Sequence, residues 1–194
     1  MTKLTSKFCL ALSVWLCCYT AMAQTTQQYC KKAFDATYES KNPVGNIRMT
    51  SDGKGHMRID SKVPNGEGTI VADFLNRDAL TLVTLPIGKS ARKRKLDENV
   101  FQTYEVSEMK RLHAKPIGTK IVENHPCHGF EYKLTSPGTQ PIRQVWIGDD
   151  IGWLVQLNVL EPEGTSVTTL KTFSNKVPEA SLFSMTPPSG YARM

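Results

Sequence analysis

Long apolar runs and the signature motifs of common enzymes are missing from this 194-residue sequence. No apolar run reaches the roughly 20 residues that a membrane-spanning helix needs. The 13 glycines and 11 prolines are an ordinary share for a globular chain. With 40% apolar and 22% charged residues, the chain is neither a disordered tail nor a bundle of membrane helices. Its length suits one domain of ordinary size.

Catalytic patterns are also missing, because the sequence has no G-x-S-x-G, no H-E-x-x-H and no phosphate-binding P-loop. Asp149 and Asp150 are consecutive in a Gly-flanked turn, where carboxylates more often bond their own backbone than act as an acid–base pair. Cys127 and His128 are neighbours on a predicted strand, so their side chains point to opposite faces and cannot form a nucleophile–base pair. We therefore predict that the protein is not an enzyme.

A metal site is considered at residues 125–128, which are His-Pro-Cys-His. Histidine and cysteine are good ligands for zinc or copper. However, neighbouring side chains alternate faces on a strand, and Pro126 removes a backbone donor. His56 and His113 are distant in the sequence. We expect no metal and no cofactor.

Residues 1–23 have the three-part layout of a secretory signal peptide. A basic start precedes an apolar run at 8–20, and a small-x-small cleavage site ends at Ala23. Cys17 and Cys18 lack the preceding small residues of a lipoprotein signal. We expect cleavage after Ala23, export to the periplasm without lipidation, and a single mature domain at 24–194.

Removal of that segment would leave two of the five cysteines, Cys30 and Cys127. Two cysteines in an oxidising compartment suggest one disulfide. The alternative is two separate buried thiols, since free cysteine packs as a small apolar residue. We expect a disulfide between Cys30 and Cys127.

The rest of the chain predicts one helix followed by a long antiparallel meander. Residues 24–40 carry apolar side chains at helical spacing, so we predict an amphipathic helix there. From residue 44 the period changes to two, and Asp52-Gly53 between two alternating runs predicts a hairpin. About nine or ten short strands indicate a barrel or sandwich, with further helical pieces near 107–114 and 178–183.

The alternating strands also suggest where a ligand would bind. Their apolar members include methionines, whose flexible side chains can line an adaptable pocket. A filled core is the alternative interpretation of the same positions. Trp146 and Trp153 flank the turn at 148–152, and we expect them to form a cross-strand aromatic pair. The candidate ligand-binding residues of the apolar face are Met49, Met57, Phe74, Leu82, Trp146 and Leu157.

Five cations lie within seven residues between two predicted strands, at Lys89, Arg92, Lys93, Arg94 and Lys95. On a loop they would bind anionic head groups, at about 1 kcal/mol per cation near an anionic surface. A solvated loop without a partner is the alternative. Nucleic acid is not an expected partner, because the cluster lacks interleaved aromatic residues and the protein is expected to be exported.

Three segments carry a family resemblance: the strand–turn–strand at 47–60, the segment 145–150 with its Trp and two Asp, and the tail 180–191 with Leu-Phe and Pro-Ser-Gly-Tyr. The sequence resembles the periplasmic lipoprotein-carrier superfamily with the LolA/LolB-like fold, and is most similar to an uncharacterised branch of it. The resemblance implies a mainly β (α+β) fold. It would be an unclosed antiparallel half-barrel of about ten strands with an N-terminal helix, an apolar concave face and a small helical lid.

In the carriers of this superfamily, the concave face shelters acyl chains. We therefore predict an exported, non-catalytic binding protein that shelters an acyl chain or other apolar ligand. The expected partners are lipid or lipoprotein acyl chains and an anionic membrane surface. The alternative is an envelope sensor or protein-interaction module with a filled core, whose partner would be an envelope protein.

Overall fold

The computed structural model describes residues 29–96, 103–133 and 141–193. The predicted signal peptide at 1–23 and its cleavage site lie outside these ranges. Within them, no helix is long and apolar enough to cross a membrane.

The described residues form twelve β-strands in one sheet, one short α-helix and one 3₁₀ helix. The helix α1 (Val106–Arg111) connects β6 to β7, and the 3₁₀ helix (Ala180–Phe183) lies between β11 and β12. The strands in chain order are β1 (Ala33–Lys41), β2 (Gly45–Asp52), β3 (His56–Val63), β4 (Gly66–Asp73), β5 (Asp78–Leu85), β6 (Gly88–Lys95), β7 (Lys115–Val122), β8 (His125–Lys133), β9 (Ile142–Gly148), β10 (Trp153–Glu161), β11 (Gly164–Ser174) and β12 (Ala192–Arg193).

The sheet consists of two meanders that meet in its middle. Its strand order is β12-β6-β5-β4-β3-β2-β1-β11-β10-β9-β8-β7. Antiparallel pairing of β1 with β11 joins the meanders, and β12 returns to pair in parallel with β6. Because the order has two free ends, the sheet is open. The predicted unclosed antiparallel sheet is confirmed, with twelve strands in the described ranges where about ten were expected.

The register shows which side chains share a face. Ala36 lies opposite Met49, Met49 opposite Ile59, and Ile59 opposite Ile70. Directly opposed residues point to the same side of a sheet, so these side chains form one continuous apolar surface. They belong to the main hydrophobic core, and we call this side the inner face.

Aromatic side chains and α1 complete the core on the inner face. The rings of Phe34 and Trp153 lie 4.5 Å apart, and Tyr104 meets Trp153 edge-on at 6.1 Å. Met109 of α1 is fully buried in the same core. The described part of the connection between β6 and β7, residues 103–114, therefore packs on the inner face.

The opposite side, the outer face, carries a second apolar cluster under the C-terminal segment, residues 175–191. Arg58 Nη1 donates to the Leu182 carbonyl at 3.1 Å, and the hydroxyls of Thr84 and Tyr191 lie 2.9 Å apart. These contacts hold the segment against β3 to β6. The buried members of the outer cluster are Val71, Leu80, Leu82, Ala91 and Phe183.

The predicted N-terminal helix at 24–40 is wrong, because Ala33–Lys41 is β1. Phe34, Ala36 and Tyr38 also fit a period of two, and all three are buried between β2 and β11. The helix near 107–114 is present as α1, but with six residues it does not show the helical lid that the resemblance implied.

The predicted disulfide is also wrong, since Cys30 and Cys127 are both free and buried. Cys30 Sγ lies 3.4 Å from the Lys32 carbonyl and 3.5 Å from Glu105 Oε1. Cys127 Sγ donates to the His125 carbonyl at 3.2 Å. Each thiol thus has partners of its own, as in the alternative of two separate buried cysteines.

Candidate functional site

An apolar cavity of about 270 Å³ opens at one end of the inner face. Pro43, in the β1–β2 turn, and Pro64, in the β3–β4 turn, contribute to its rim. Ile47, Ile59 and Ile70 line it from neighbouring strands. The two isoleucines of β3 and β4 are only partly buried, so part of their apolar surface faces the cavity.

Small and polar residues limit the cavity on the side of β4 and β5. Gly68 lines it without a side chain, and a Cβ there would meet only Ser61 Oγ, at 3.0 Å. Thr81 lines it from β5, and its buried Oγ1 has no hydrogen-bond partner in the part of the chain that the structure describes. The cavity therefore combines apolar walls with an unsatisfied hydroxyl at one point.

The structure places five of the six candidate ligand residues in or against the main core and the sixth, Leu82, in the outer cluster. Met49, Met57 and Leu157 are buried in the main core, and Phe74 is partly buried against it. Leu82 belongs to the outer cluster and, of the six, is the one that borders the cavity. The centre of the inner face is thus filled by side chains, and the open volume lies beside it.

Trp146 belongs to the main core cluster, but its side chain lies on the other side of β9 from Val145, which opposes Leu157. Its ring packs over Gly129, and Lys120 Nζ lies 4.0 Å from the ring centroid. Burial lowers the pKa of Lys120. This is a cation–π contact on a partly buried surface, which orients both side chains.

The expected pairing of Trp146 with Trp153 is wrong. Trp153 lies opposite Gly148, and Trp146 lies opposite Gln156, with a register shift between them. This register shift, a β-bulge between Leu154 and Gln156, means that the two tryptophans do not lie opposite each other on β9 and β10.

The basic segment, predicted as a loop, is strand β6. It pairs along its whole length with β5 and, at Ser90 and Ala91, with β12. Alternation along this strand sends its cations to both sides of the sheet. Lys93 lies opposite Leu80 of the outer cluster, whereas Arg92 lies opposite Thr81 of the cavity.

The outer-face lysines of β6 have partners. Lys95 Nζ and Lys93 Nζ lie 2.9 Å and 3.5 Å from the carboxylate of Asp78. The hydrogen bond from Lys95 lowers the pKa of Asp78. Lys89 Nζ lies 5.8 Å from the ring centroid of Tyr191. The five cations therefore do not form one basic surface, since three lie outside and Arg92 and Arg94 lie inside.

Two histidine–aspartate pairs tie β8 to the β9–β10 turn. His125 Nδ1 lies 2.7 Å from Asp150 Oδ2, and His128 Nδ1 lies 2.6 Å from Asp149 Oδ1. Burial alone would raise the pKa of Asp150, but hydrogen bonds, first that from His125, lower it. In the described ranges no three histidine, cysteine or acidic side chains are placed to hold a metal ion. Each aspartate thus has a histidine as its structural partner. The sequence did not reveal these pairs, because their members are 21 and 25 residues apart.

No protein-family model and no curated protein matches this sequence. The structure is similar to the complex of MucA and MucB from Pseudomonas aeruginosa, at 14% identity and a TM-score of 0.48, covering 91% of this chain and 61% of that chain. LprF from Mycobacterium bovis is 11% identical with a TM-score of 0.39, covering 76% and 89%. A DUF1329 family protein from Desulfovibrio piger is 12% identical with a TM-score of 0.40, covering 95% and 98%.

The present chain spans about three-fifths of the matched chain in the MucA/MucB complex.

Proposed function

We propose that this chain is an exported, non-catalytic protein that binds the acyl chain or other apolar part of a ligand in the cavity of the inner face. The observation that supports this is the open, apolar volume bounded by Ile47, Ile59 and Ile70 at the end of an otherwise filled face. Burial of a chain there gains about 0.8 kcal/mol per methylene group. Export through the signal peptide at residues 1–23 is part of the proposal.

The size of the cavity limits what it holds. Pockets for drug-sized ligands have volumes of roughly 300–1,000 Å³, so 270 Å³ is just below that range. It suits one chain, or the end of a longer chain that extends past the rim. The partners would be lipid or lipoprotein acyl chains. A membrane-docking basic surface is not part of the proposal, because the cations of β6 are divided between two faces.

The alternative, an envelope sensor or protein-interaction module, is favoured by one observation. Met49 and Met57 are only 1% and 3% exposed, so the face that was expected to be hollow is filled at its centre. In that case the cavity would be a packing defect and an envelope protein would be the partner.

Filling the cavity tests the proposal. Ile70→Trp places a larger ring into the open volume, and Ile121→Trp, at a position 76% exposed on β7, is the matched control. We expect Ile70→Trp to weaken binding of the neutral apolar probe N-phenyl-1-naphthylamine by about tenfold or more, which equals about 1.4 kcal/mol. The control should bind like the wild type in the same fluorescence titration.

Equal probe affinity of Ile70→Trp and wild type would contradict the cavity as the binding site. A wild type that binds no probe and carries no lipid in native mass spectrometry would favour the protein-interaction alternative. Circular dichroism of both variants establishes that each is folded.

A further inference from the structure

Arg94 is a partly buried cation with two buried nitrogen atoms that have no hydrogen-bond partner among the described residues. It lies on the inner face of β6, opposite Ala79 of the main core. Its Nε and Nη2 atoms are buried, and no acceptor within the described ranges hydrogen-bonds to either. The nearest acid on β5, Asp78, is on the other face with Lys93 and Lys95.

An unpaired guanidinium in such a place is costly to the folded chain. A buried polar group that lacks a hydrogen bond is unfavourable, and the penalty is larger for a charged group. Buried polar atoms in proteins are therefore nearly always paired, with protein, water or ligand. The planar donors of arginine match the two oxygens of a carboxylate or phosphate.

The position of Arg94 connects this unpaired charge to the cavity. Arg92, the next inner-face residue of β6, lies directly opposite Thr81, which lines the cavity. Directly opposed Cβ atoms are about 5 Å apart and diagonal ones about 7–8 Å, so both arginines neighbour Thr81. Thr81 Oγ1 is itself buried and unpaired among the described residues. The unsatisfied hydroxyl of Thr81 thus lies in the cavity wall, and the unsatisfied donors of Arg94 lie on the same face of the neighbouring strand, beyond the residues that line the cavity.

We propose that Arg94, together with Arg92 and Thr81, binds the anionic head group of an amphiphile whose apolar chain occupies the cavity. The inference rests on the proposed function and narrows its ligand to a molecule with one apolar chain and a carboxylate or phosphate head. The guanidinium of Arg94 donates to the head-group oxygens, and Thr81 supplies a hydroxyl donor. Arg92 adds a second positive charge on the same face.

Three ligands with the same twelve-carbon acyl or alkyl chain test the head group separately from the chain. Isothermal titration calorimetry would compare dodecanoate, dodecyl phosphate and the neutral glycerol monoester of dodecanoic acid, all below their micelle concentrations. We expect the wild type to bind at least one anionic ligand about tenfold or more tightly than the neutral one, as for a charge-assisted hydrogen bond. The tighter of the two anionic ligands shows which head group the site prefers. Dodecanoate would indicate a carboxylate, as in a fatty acid, and dodecyl phosphate would indicate a phosphate, as in a phospholipid.

Arg94→Met tests the residue, with Lys95→Met as the matched control on the outer face of the same strand. We expect Arg94→Met to lose the preference for the anionic ligand while its affinity for the neutral ester stays within about twofold. Because the variant removes an unpaired buried charge, its melting temperature without ligand should rise. Lys95→Met should keep the preference, since Lys95 is 81% exposed at its side chain and pairs with Asp78.

The possible results separate the two proposals. Equal binding of the anionic and neutral ligands to the wild type would overturn the head-group inference and leave the cavity proposal standing. Failure of all three ligands to bind would overturn both. Loss of the preference in Lys95→Met but not in Arg94→Met would assign the head group to the outer face and overturn the inference.

Discussion

Single residues in this sheet are fitted to particular neighbours, as Gly129 and Trp146 show. A Cβ at position 129 would lie 2.6 Å from Trp146 Cζ3 and 2.8 Å from Ile117 Cγ1. Such distances are well inside van der Waals contact, so the ring requires a glycine beneath it. The ring in turn lies under the ammonium group of Lys120.

We expect Gly129→Ala to destabilise the protein by about 1–3 kcal/mol, the usual effect of overpacking. Trp146→Phe removes the ring atoms that the new methyl group would meet. The double variant should therefore lose less stability than the sum of the two single variants in urea denaturation. Strict additivity would mean that position 129 and the indole do not contact each other.

The two buried thiols give a pH dependence. Burial raises the pKa of Cys30 to about 11 and also raises the pKa of Cys127. Between the ordinary thiol pKa, about 9, and the raised value, the unfolded chain binds fewer protons than the folded chain, so stability falls as the pH rises. The contribution is fully present below about pH 8 and decreases above it.

We expect the wild type to lose stability between pH 8 and pH 10 in urea denaturation, and Cys30→Ala to lose less over the same interval. Dithiothreitol should leave the melting temperature of the wild type unchanged, since neither thiol is in a disulfide. Equal pH slopes for the two proteins would show that the Cys30 thiol ionises as readily in the folded chain as in the unfolded one.

At the scale of elements, the C-terminal segment acts as a cover for β3 to β6. Phe183 is 7% exposed and packs in the outer cluster, with its ring 6.1 Å from that of His56. The backbone on either side of it is held by Arg58 and by the pairing of β12 with β6. The segment thereby buries the apolar residues of the outer face.

Phe183→Ala should cost about 3 kcal/mol in free energy of unfolding, because it leaves a cavity under the segment. Val177→Ala, at a position 69% exposed in the same segment, should change stability by no more than about 0.5 kcal/mol. Urea denaturation of both variants gives the comparison. A similar small change in both would mean that the segment is not part of the cooperative unit.

Sequence patterns predicted most strands but not every element type. Asp52-Gly53 marked the β2–β3 hairpin correctly, because that turn depends on local geometry. Phe34 and its neighbours fit helical and extended spacing alike, and the choice was made by β2 and β11, which are distant in sequence. The cations of β6 suggested a loop, yet pairing with β5 extends the chain there.

At the scale of the molecule, the sheet has one filled region and one open end. The sequence identified Met49 and Met57 as inner-face residues, and both lie there. It could not show that they fill the face, since that depends on how Met109 and Trp153 pack against the sheet. The cavity at Ile59 and Ile70 arises from this difference in packing along the face, which no local pattern records. The sequence identified Arg94 as one of the five cations of the basic segment. Its place on the inner face follows from the alternation of side chains along β6.

The join between the two meanders bears on how the chain folds. Strands β1 to β6 and β7 to β11 each pair with their sequence neighbours, whereas Thr37 on β1 meets Thr172 on β11 across 135 residues. Closing so long a loop costs entropy before any contact compensates, so local hairpins form faster than this pairing. We therefore expect the slow event in refolding to be the docking of two half-sheets along β1 and β11. An early intermediate would expose both of these edges to other molecules.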